Sequence, residues 1–342
     1  MKDEARLVAD IGGTHARFAL LDRHGAPERV RVLAVADFTG PVEAIAAYLQ
    51  DIGEPSLESA AIALAAPVHA GVIRMTNARW SFCRAEIEKH FGLQRLLLLN
   101  DFAALALALP YLDAADLRQV GGGEAVPLAP KAVLGPGTGL GVSGVLHHGG
   151  QWLALTGEGG HCSLAPGDRR EAEILALAWR EHAHVSAERL LSGSGLPLLH
   201  RLVAAVDGWS SAPLATPEII ARAVAGNDPR CRSVIDTLCA MLGALAGNLA
   251  LTLGAQGGVY VAGGIIPRLG ELFDQSEFRS RFEAKGRFTA YLAAIPTFVM
   301  LCPTPALLGA AHALAAAAPP APGQAGRTAR RVRKTRVGPS LP

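Results

Sequence analysis

The sequence predicts an α/β protein made of two related halves. Strands flank a glycine turn at residues 10–14 and again at residues 135–141, and helices follow each set of strands. In the longest predicted helix, apolar residues recur at three- and four-residue spacing. Glycine accounts for 38 of the 342 residues, or about 11%, against an average of roughly 7%. This excess favours tight turns and close approach of the backbone to a neighbour or a ligand.

The hydrophobic pattern assigns the elements of each half in order. In the first half it predicts an almost wholly apolar helix from Asp101 and strands over residues 6–11, 16–22, 62–67 and 95–100. Loop composition at residues 121–130 marks a boundary. In the second half it predicts strands over residues 132–135, 141–147, 152–156, 258–263 and 296–301. The helices of that half are predicted near residues 169–182, 186–192, 195–206, 217–225, 229–253 and 305–314.

The segment from Thr237 to Pro267 carries no charged residue and is long enough to suggest a membrane span. The predicted helix that enters it starts with Asp228 as N-cap and Pro229 in the first turn, as helices of soluble proteins do. Glycine and amide residues interrupt the rest of the run. We therefore expect a core helix and no membrane association.

The net charge of +2 combines two regions of opposite sign. Residues 315–342 carry six basic residues and no acidic one, which leaves 26 basic and 30 acidic residues, a charge of −4, in the first 314. Residues 319–342 are rich in alanine, proline and arginine and predict a disordered basic tail. This tail is the only candidate contact with nucleic acid, and we expect no such partner for the rest of the chain.

The five cysteines are scattered, with no CxxC pair, which is typical of reduced thiols. The first residues contain two acids and no apolar signal region. Both observations predict a cytoplasmic protein.

Three glycine turns are candidates for binding an anion. Residues 10–14 place the Asp10 carboxylate ahead of a glycine pair and Thr14, and residues 135–141 repeat the pattern after a second strand. Backbone N–H groups in such turns bind anions, and an adjacent Asp can hold the water shell of Mg²⁺. Each turn alone is equally compatible with an ordinary hairpin. The third pair, Gly263 and Gly264 after a buried strand, makes a shared role in phosphate binding the better interpretation.

The standard nucleotide motifs do not match. The chain has no GxxxxGK[ST] sequence. Gly139, Gly141 and Gly144 form a GxGxxG, but the residues after them have a strand pattern, whereas the dinucleotide fingerprint opens a helix.

Five polar residues allow a functional and a purely structural interpretation. Asn100 and Asp101 lie at a predicted strand-to-helix junction, where either side chain could simply cap the helix. Glu158 and His161 have the spacing of a helical metal pair, but the two glycines between them predict a loop suited to a polyol. Glu188 near a predicted helix start is ordinarily an acid that complements the helix dipole.

Six segments in this order resemble the bacterial glucokinase family of the actin-like and hexokinase ATPase superfamily: residues 10–20, 99–110, 135–142, 157–161, 184–193 and 259–268. The resemblance extends from Arg6 to Leu314. It implies two ribonuclease-H-like α/β domains with an active-site cleft between them. Residues 1–111 with 302–318 would form the small domain, and residues 112–301 the large one.

The resemblance also implies roles for individual residues. ATP would contact Ala9, Asp10, Ile11, Gly12, Gly13, Thr14, Gly137, Thr138, Gly139, Gly263 and Gly264, with Asp10 holding Mg²⁺ through water. The sugar would contact Asn100, Asp101, Glu158, His161 and Glu188. Asp101 would be the general base that takes the proton of the sugar 6-hydroxyl as it attacks the γ-phosphate. The helix N-terminus is expected to favour its ionised form.

The function implied is ATP-dependent phosphorylation of D-glucose to glucose 6-phosphate, the entry step of glycolysis. A kinase for fructose or mannose is the alternative within the same class. A sugar-responsive regulator is less favoured, because a strand that begins near Arg6 leaves no room for an N-terminal helix-turn-helix. A single cysteine, Cys162, follows His161, which disfavours the zinc loop of the related ROK sugar kinases. The family implies a homodimer.

Overall fold

The structure is a computed structural model, and it describes residues 5–317 with the exception of Glu54, Pro67, His69, Ala70, Thr76, Asn77, Ala78 and Ser211. The predicted basic tail, residues 319–342, lies outside the described residues. The strands are β1 (Ala5–Ile11), β2 (His15–Leu21), β3 (Pro27–Ala34), β4 (Leu57–Leu64), β5 (Val72–Arg74), β6 (Ser81–Cys83), β7 (Arg95–Asn100), β8 (Leu117–Val120), β9 (Lys131–Pro136), β10 (Leu140–His148), β11 (Gln151–Leu155), β12 (Val259–Val261) and β13 (Thr297–Met300).

Two mixed sheets organise the molecule, each the centre of one lobe. The first has the order β3-β2-β1-β4-β7, with β1, β4 and β7 parallel and β2 and β3 antiparallel to their neighbours. The second has the order β11-β10-β9-β12-β13-β8, in which β9 to β13 repeat the same arrangement and β8 adds an antiparallel edge. The predicted α/β fold of two related halves is confirmed.

The helices cover both lobes. They are α1 (Pro41–Asp51), α2 (Arg84–Phe91), α3 (Asp101–Ala108), α4 (Arg169–Trp179), α5 (Ala187–Leu190), α6 (Leu196–Asp207), α7 (Thr216–Val224), α8 (Pro229–Leu253), α9 (Ile266–Leu269), α10 (Glu271–Asp274), α11 (Phe278–Glu283), α12 (Thr289–Ala293) and α13 (Pro305–Ala316).

Two helices exchange lobes and form the junction between them. α3 leaves the first sheet after β7 and packs its apolar residues against Val133 and Val145 of the second sheet. α13 leaves the second sheet after β13 and packs against Val8 and Ala61 of the first. The two helices cross at Gly309, where a Cβ atom would overlap the carbonyl oxygen of Ala104. The N-terminus of α3 therefore lies where the two lobes face each other.

α8 is a core helix of the second lobe, as predicted. The Asp228 side chain caps it by accepting hydrogen bonds from the backbone amides of Arg230 and Cys231. Its length and a mean hydropathy of 1.7 would suffice for a membrane span, but 67% of that stretch is buried inside the protein. Its stripe, including Val234, Leu238 and Met241, packs in the second lobe.

Several elements differ from the sequence prediction. The pattern did not predict strand β3, although Arg29, Val30, Arg31 and Val32 alternate polar and apolar residues. Residues 28–32 are all exposed, so this alternation marks no buried face. The strand predicted over residues 62–67 lies at Leu57–Leu64, because the polar residues Glu58 and Ser59 belong to it. Helices α1 and α2 were also missed. The residues after Gly139 form β10, as their strand pattern predicted.

Candidate functional site

A cavity of about 430 Å³ lies between the lobes, at the N-terminus of α3. It brings together predicted site residues that are far apart in the sequence. Those that line it are Gly12, Gly13, Asn100, Asp101, Gly137, Thr138, Gly139, Glu158, His161, Glu188 and Gly263. Ala65, Phe102, Gly141 and Ser194 are among the lining residues that the sequence did not predict.

Five predicted residues are not among those that line the cavity: Ala9, Asp10, Ile11, Thr14 and Gly264. Ala9 and Ile11 are fully buried in β1, so their side chains belong to the core of the first lobe. Thr14 is exposed in the first turn, and its carbonyl accepts from the amide of Val35. Gly264 is exposed. Ala9, Ile11, Thr14 and Gly264 can therefore present only backbone or peripheral contacts to a ligand in the cavity.

The Asn100 side chain caps helix α3. Its Oδ1 accepts from the backbone amides of Phe102 at 3.0 Å and Ala103 at 3.2 Å. The structural interpretation, that Asn100 caps the helix, is confirmed. Because Oδ1 is engaged in the cap, the side-chain amide group of Asn100 is available to donate to a ligand.

Asp101 is a half-buried carboxylate at the first position of α3. Its pKa is raised from the ordinary 3.8 to about 6, mainly by burial and to a smaller extent by the nearby carboxylates of Asp10 and Glu158. The backbone N–H of Phe102, 2.9 Å from Oδ1, acts in the opposite direction. The helix N-terminus therefore favours the ionised form, as expected, but desolvation exceeds this stabilisation and the net pKa is raised.

Asp10 extends from β1 next to the first glycine turn. Its Oδ2 accepts from Arg17 of the adjacent strand at 3.2 Å, and the two residues are register partners of β1 and β2. Burial raises the pKa of Asp10, and the Arg17 guanidinium opposes that rise. A carboxylate in such surroundings is stabilised by any further cation nearby. Arg17 was not identified as a site residue from the sequence.

The described residues contain no group of three or more His, Cys, Asp and Glu side chains that could hold a metal ion. Mg²⁺ usually keeps several water ligands and binds through one or two carboxylates together with substrate phosphates. A single half-buried carboxylate beside a phosphate-sized glycine turn fits that donor set. The arrangement therefore fits Mg²⁺ bound with a nucleotide.

The segment around Ser194 holds the second glycine turn in place. The amides of Gly193 and Ser194 donate to the carbonyls of Gly137 and Thr138 at 2.8 and 3.1 Å. The Ser194 hydroxyl also donates to the Thr138 carbonyl, at 3.0 Å. The sequence indicates this contact by the run SGSG at residues 192–195. Its small residues allow two backbone segments to lie close together.

The third glycine turn contacts the second directly. Gly263 has a φ of +85°, and a Cβ atom there would overlap the carbonyl oxygen of Pro136. Only glycine satisfies both conditions. The third turn thereby closes one wall of the cavity against the second.

Glu158 precedes a single turn of 3₁₀-helix, Gly159–His161, and His161 is its last residue; a loop was predicted here. A Cβ atom at Gly160 would overlap the carbonyl oxygen of Leu140, so the segment lies directly on β10. His161 Nε2 is 3.8 Å from Glu188 Oε1, too far for a hydrogen bond between them. Both side chains can therefore present polar atoms to a third group in the cavity.

A repeated sheet topology, three glycine turns and a set of carboxylates around one interlobe cleft define an actin-like sugar kinase. The family model for glucokinase matches residues 7–317. The chain belongs to the glucokinase family.

Individual relatives agree with this assignment. A glucokinase of Chromobacterium violaceum is 52% identical over 310 residues, which cover 91% of this chain and 89% of the relative. The crystal structure of a glucokinase from an Antarctic psychrotroph has 36% identity and a TM-score of 0.83, and the match covers 92% of this chain and 99% of that one. A ROK family glucokinase from Streptomyces griseus, solved in complex with glucose and AMPPNP, shares the fold at 20% identity and a TM-score of 0.61, with 90% of this chain and 98% of that chain covered.

Proposed function

We infer that the protein transfers the γ-phosphoryl group of ATP to glucose. The observation that carries the assignment is the half-buried Asp101 carboxylate at the N-terminus of α3, in one cavity with glycines of all three turns. The glucokinases to which the chain is similar support glucose as the acceptor and ATP as the donor.

We propose that Asp101 is the general base. A carboxylate with a pKa of about 6 is ionised near neutral pH, yet it is a stronger base than an ordinary aspartate. It would accept the proton of the sugar 6-hydroxyl while that oxygen attacks the γ-phosphate. Phosphoryl transfer has a loose transition state, so orienting the hydroxyl contributes as much as removing its proton.

The sugar would be held by donors and acceptors around the base. The amide of Asn100 would donate, while Glu158 and the Oε1 atom of Glu188 would accept from hydroxyl groups. His161, 3.8 Å from Glu188 Oε1, can share one hydroxyl with it. A site that pairs each hydroxyl rejects analogues lacking one, because a polar group of the protein is then left unpaired.

The nucleotide phosphates would lie on the backbone amides of Gly13, Thr138 and Gly139, with Gly263 behind the adenosine. Gly12 and Gly137 would contact the nucleotide without donating, because their own amides donate to the carbonyls of His15 at 3.0 Å and Gly139 at 2.8 Å. Ala9, Ile11, Thr14 and Gly264 would add backbone or edge contacts. Asp10 would hold Mg²⁺ through water, and bound Mg²⁺ would supply positive charge against the phosphate oxygens. The protein's own part is to fix the phosphates relative to Asp101.

A coupled assay over a hexose and donor panel tests the assignment. We expect turnover of glucose with ATP and Mg²⁺, lower turnover of fructose and mannose, and loss of activity on chelation of Mg²⁺. Equal or better turnover of fructose or mannose would contradict the glucose assignment. Turnover undiminished without a divalent cation would contradict the role of Asp10.

We also propose the division into a small domain of residues 1–111 with 302–318 and a large one of residues 112–301, a homodimer, and a cytoplasmic location. Helix α13, which follows β13 yet packs on the first sheet, supports that division. Light scattering of the purified protein measures the oligomeric state, and a monomer at assay concentration would contradict the dimer.

For the basic tail, we expect no nucleic-acid binding. Salt-dependent binding lost on deletion of residues 319–342 would overturn this.

A further inference from the structure

We propose that Phe102 is a positioning residue for phosphoryl transfer: its ring fixes the helix that carries Asp101 against the second glycine turn. The inference rests on the proposed function, in which Asp101 is the base and this turn holds phosphate. Phe102 belongs to the first lobe through β7 and α3, whereas the turn belongs to the second. The contact therefore joins the two halves of the reacting system.

The ring packs on backbone that lacks side chains. A Cβ atom at Gly141 would overlap Cδ2 and Cε2 of the ring, and a Cβ atom at Gly135 would lie 3.0 Å from Cζ. Gly135 and Gly141 are register partners at the ends of β9 and β10, on either side of the turn. They form a flat platform for the ring at the base of the turn.

Backbone conformation does not explain the glycine at position 141. Neither Gly135 nor Gly141 has the positive φ that favours glycine. Gly135 would also meet the backbone of Ala262 at 2.9 Å, but the three nearest atoms at Gly141 all belong to the Phe102 ring. The close approach of this one side chain is what requires a residue without Cβ at position 141.

The backbone of Phe102 holds the base while its ring holds the turn. Its N–H donates to Oδ1 of Asn100 at 3.0 Å and to Oδ1 of Asp101 at 2.9 Å. Phe102 therefore contacts the Asp101 carboxylate through its backbone N–H and the second glycine turn through its ring. A shift of the ring would move Asp101 relative to the turn.

General packing does not require this contact. Ala106 of α3 and Leu109 just after it already pack against the second sheet in a buried cluster, and Phe102 packs against the edge of that cluster. Phe102 is only partly buried and lines the cavity. Loss of its ring should therefore change the geometry of the reacting groups more than the affinity for either substrate. Misplacement of about 1 Å can cost about 100-fold in rate.

A double-mutant cycle on kcat tests the proposal, with Phe102→Ala, Gly141→Ala and the double variant. We expect each single change to lower kcat at least about 10-fold, with the KM for glucose within about threefold of the wild-type value. The double variant should be no slower than the slower single variant, because both changes act through one contact. Phe102→Leu, which keeps an apolar side chain on the platform, should retain more activity than Phe102→Ala.

Two matched controls separate the effect from general damage. Gly122→Ala adds a methyl group where nothing lies within 4 Å, and Phe288→Ala removes an exposed ring. Both should keep wild-type kcat. Should thermal melts show that Phe102→Ala does not fold, Gly141→Ala alone is judged by the same criterion, and a kcat within twofold of wild type for that variant overturns the proposal.

Two results would overturn the proposal: a kcat for Phe102→Ala within twofold of wild type, or losses that multiply in the double variant. Each would leave the glucokinase activity of the wild-type protein intact. A wild-type protein that does not phosphorylate glucose would instead contradict the proposed function, so the two failures are distinguishable.

Discussion

The carboxylate of Glu188 accepts a hydrogen bond from the backbone amide of Leu140, with 2.8 Å between Oε2 and the amide nitrogen. This bond connects α5, on the sugar side of the cavity, to the second glycine turn. A Cβ atom at Gly139 would overlap the same carboxylate, so the turn lies directly on it. One oxygen of Glu188 thus holds the turn, and in our proposal the other accepts a hydrogen bond from the sugar.

Replacing Glu188 with Gln should weaken glucose binding and also disturb the second turn. To keep the bond from Leu140, the amide oxygen must take the place of Oε2, and the NH₂ group then points toward the sugar. The atom that faces the sugar then donates a hydrogen bond where the carboxylate oxygen accepted one. A charged hydrogen bond contributes about 1.5–3 kcal/mol, so we expect the KM for glucose to rise about 10- to 100-fold.

Steady-state kinetics with both substrates measure this effect. Glu181→Gln is the matched control, because Glu181 pairs with Arg201 on the surface at 2.7 Å and touches no part of the cavity. Wild-type KM values for glucose and ATP in Glu188→Gln would show that the carboxylate charge has no role.

The Asp101→Asn variant should lose turnover while still binding glucose. Asparagine keeps the shape of the side chain and an oxygen that can accept from Phe102, but it cannot take a proton. We expect kcat to fall by about 100-fold or more with little change in the dissociation constant of glucose. Calorimetric titration and a coupled assay measure the two quantities. A kcat near the wild-type value would show that another group is the base.

The same substitution should make the protein more stable near pH 7. The pKa of Asp101 is higher in the folded state, about 6, than its ordinary 3.8, so ionisation of this carboxylate disfavours the fold. Its contribution to stability is greatest below pH 4 and is lost as the pH rises through 6. Removing the charge should raise the free energy of unfolding by about 1–3 kcal/mol.

Denaturation curves at pH 4 and pH 7 test this prediction, since the gain should appear only at the higher pH. Asp51→Asn serves as control, because Asp51 forms an exposed ion pair with Arg31. A decrease in stability of Asp101→Asn at pH 7 would contradict the burial argument.

The activity of the wild-type enzyme should rise with pH around the pKa of Asp101. Because the base must be ionised, kcat/KM for glucose should increase tenfold per pH unit well below pH 6 and level off above it. An ordinary aspartate would place this limb near pH 4. A pH–rate profile over the range in which the protein stays folded distinguishes the two, and a constant rate from pH 5 to 8 would exclude a base with a pKa of about 6.

The sequence predicted the fold and much of the cavity because local patterns carry that information. The two strand–turn–strand units around Gly12 and Gly137 repeat visibly, and the order of motifs located Asp101 and Glu188. The edge strand β3 was missed: its residues 29–32 alternate polar and apolar types, but all of them are exposed, so the alternation marks no buried face.

The remaining site features depend on distances between segments that no local pattern records. In the sequence, Phe102 is one more apolar residue of α3, and only the structure shows that its ring packs on Gly141. In the sequence, Arg17 is an ordinary residue of a strand, and only the structure shows that its guanidinium lies 3.2 Å from Oδ2 of Asp10. The raised pKa of Asp101 is a third such feature, since its position at a helix N-terminus is visible in the sequence and its burial is not.

Gly309→Ala should destabilise the junction between the lobes. In an isolated helix this change would stabilise by about 0.5–1 kcal/mol. Here the new methyl group would overlap the carbonyl oxygen of Ala104, a backbone atom that can move only if α3 and α13 separate. Overpacking of this kind costs about 1–3 kcal/mol, which exceeds the gain in helix propensity, so we expect a lower melting temperature.

The shift should also reach the active site, because α3 carries Asp101 at its first position. We expect kcat of the folded Gly309→Ala protein to fall, while Gly122→Ala, with open space around the added methyl group, keeps both melting temperature and kcat. Thermal melts and assays well below the transition measure the two effects. A melting temperature at or above that of the wild type would show that the helix crossing can relax without cost.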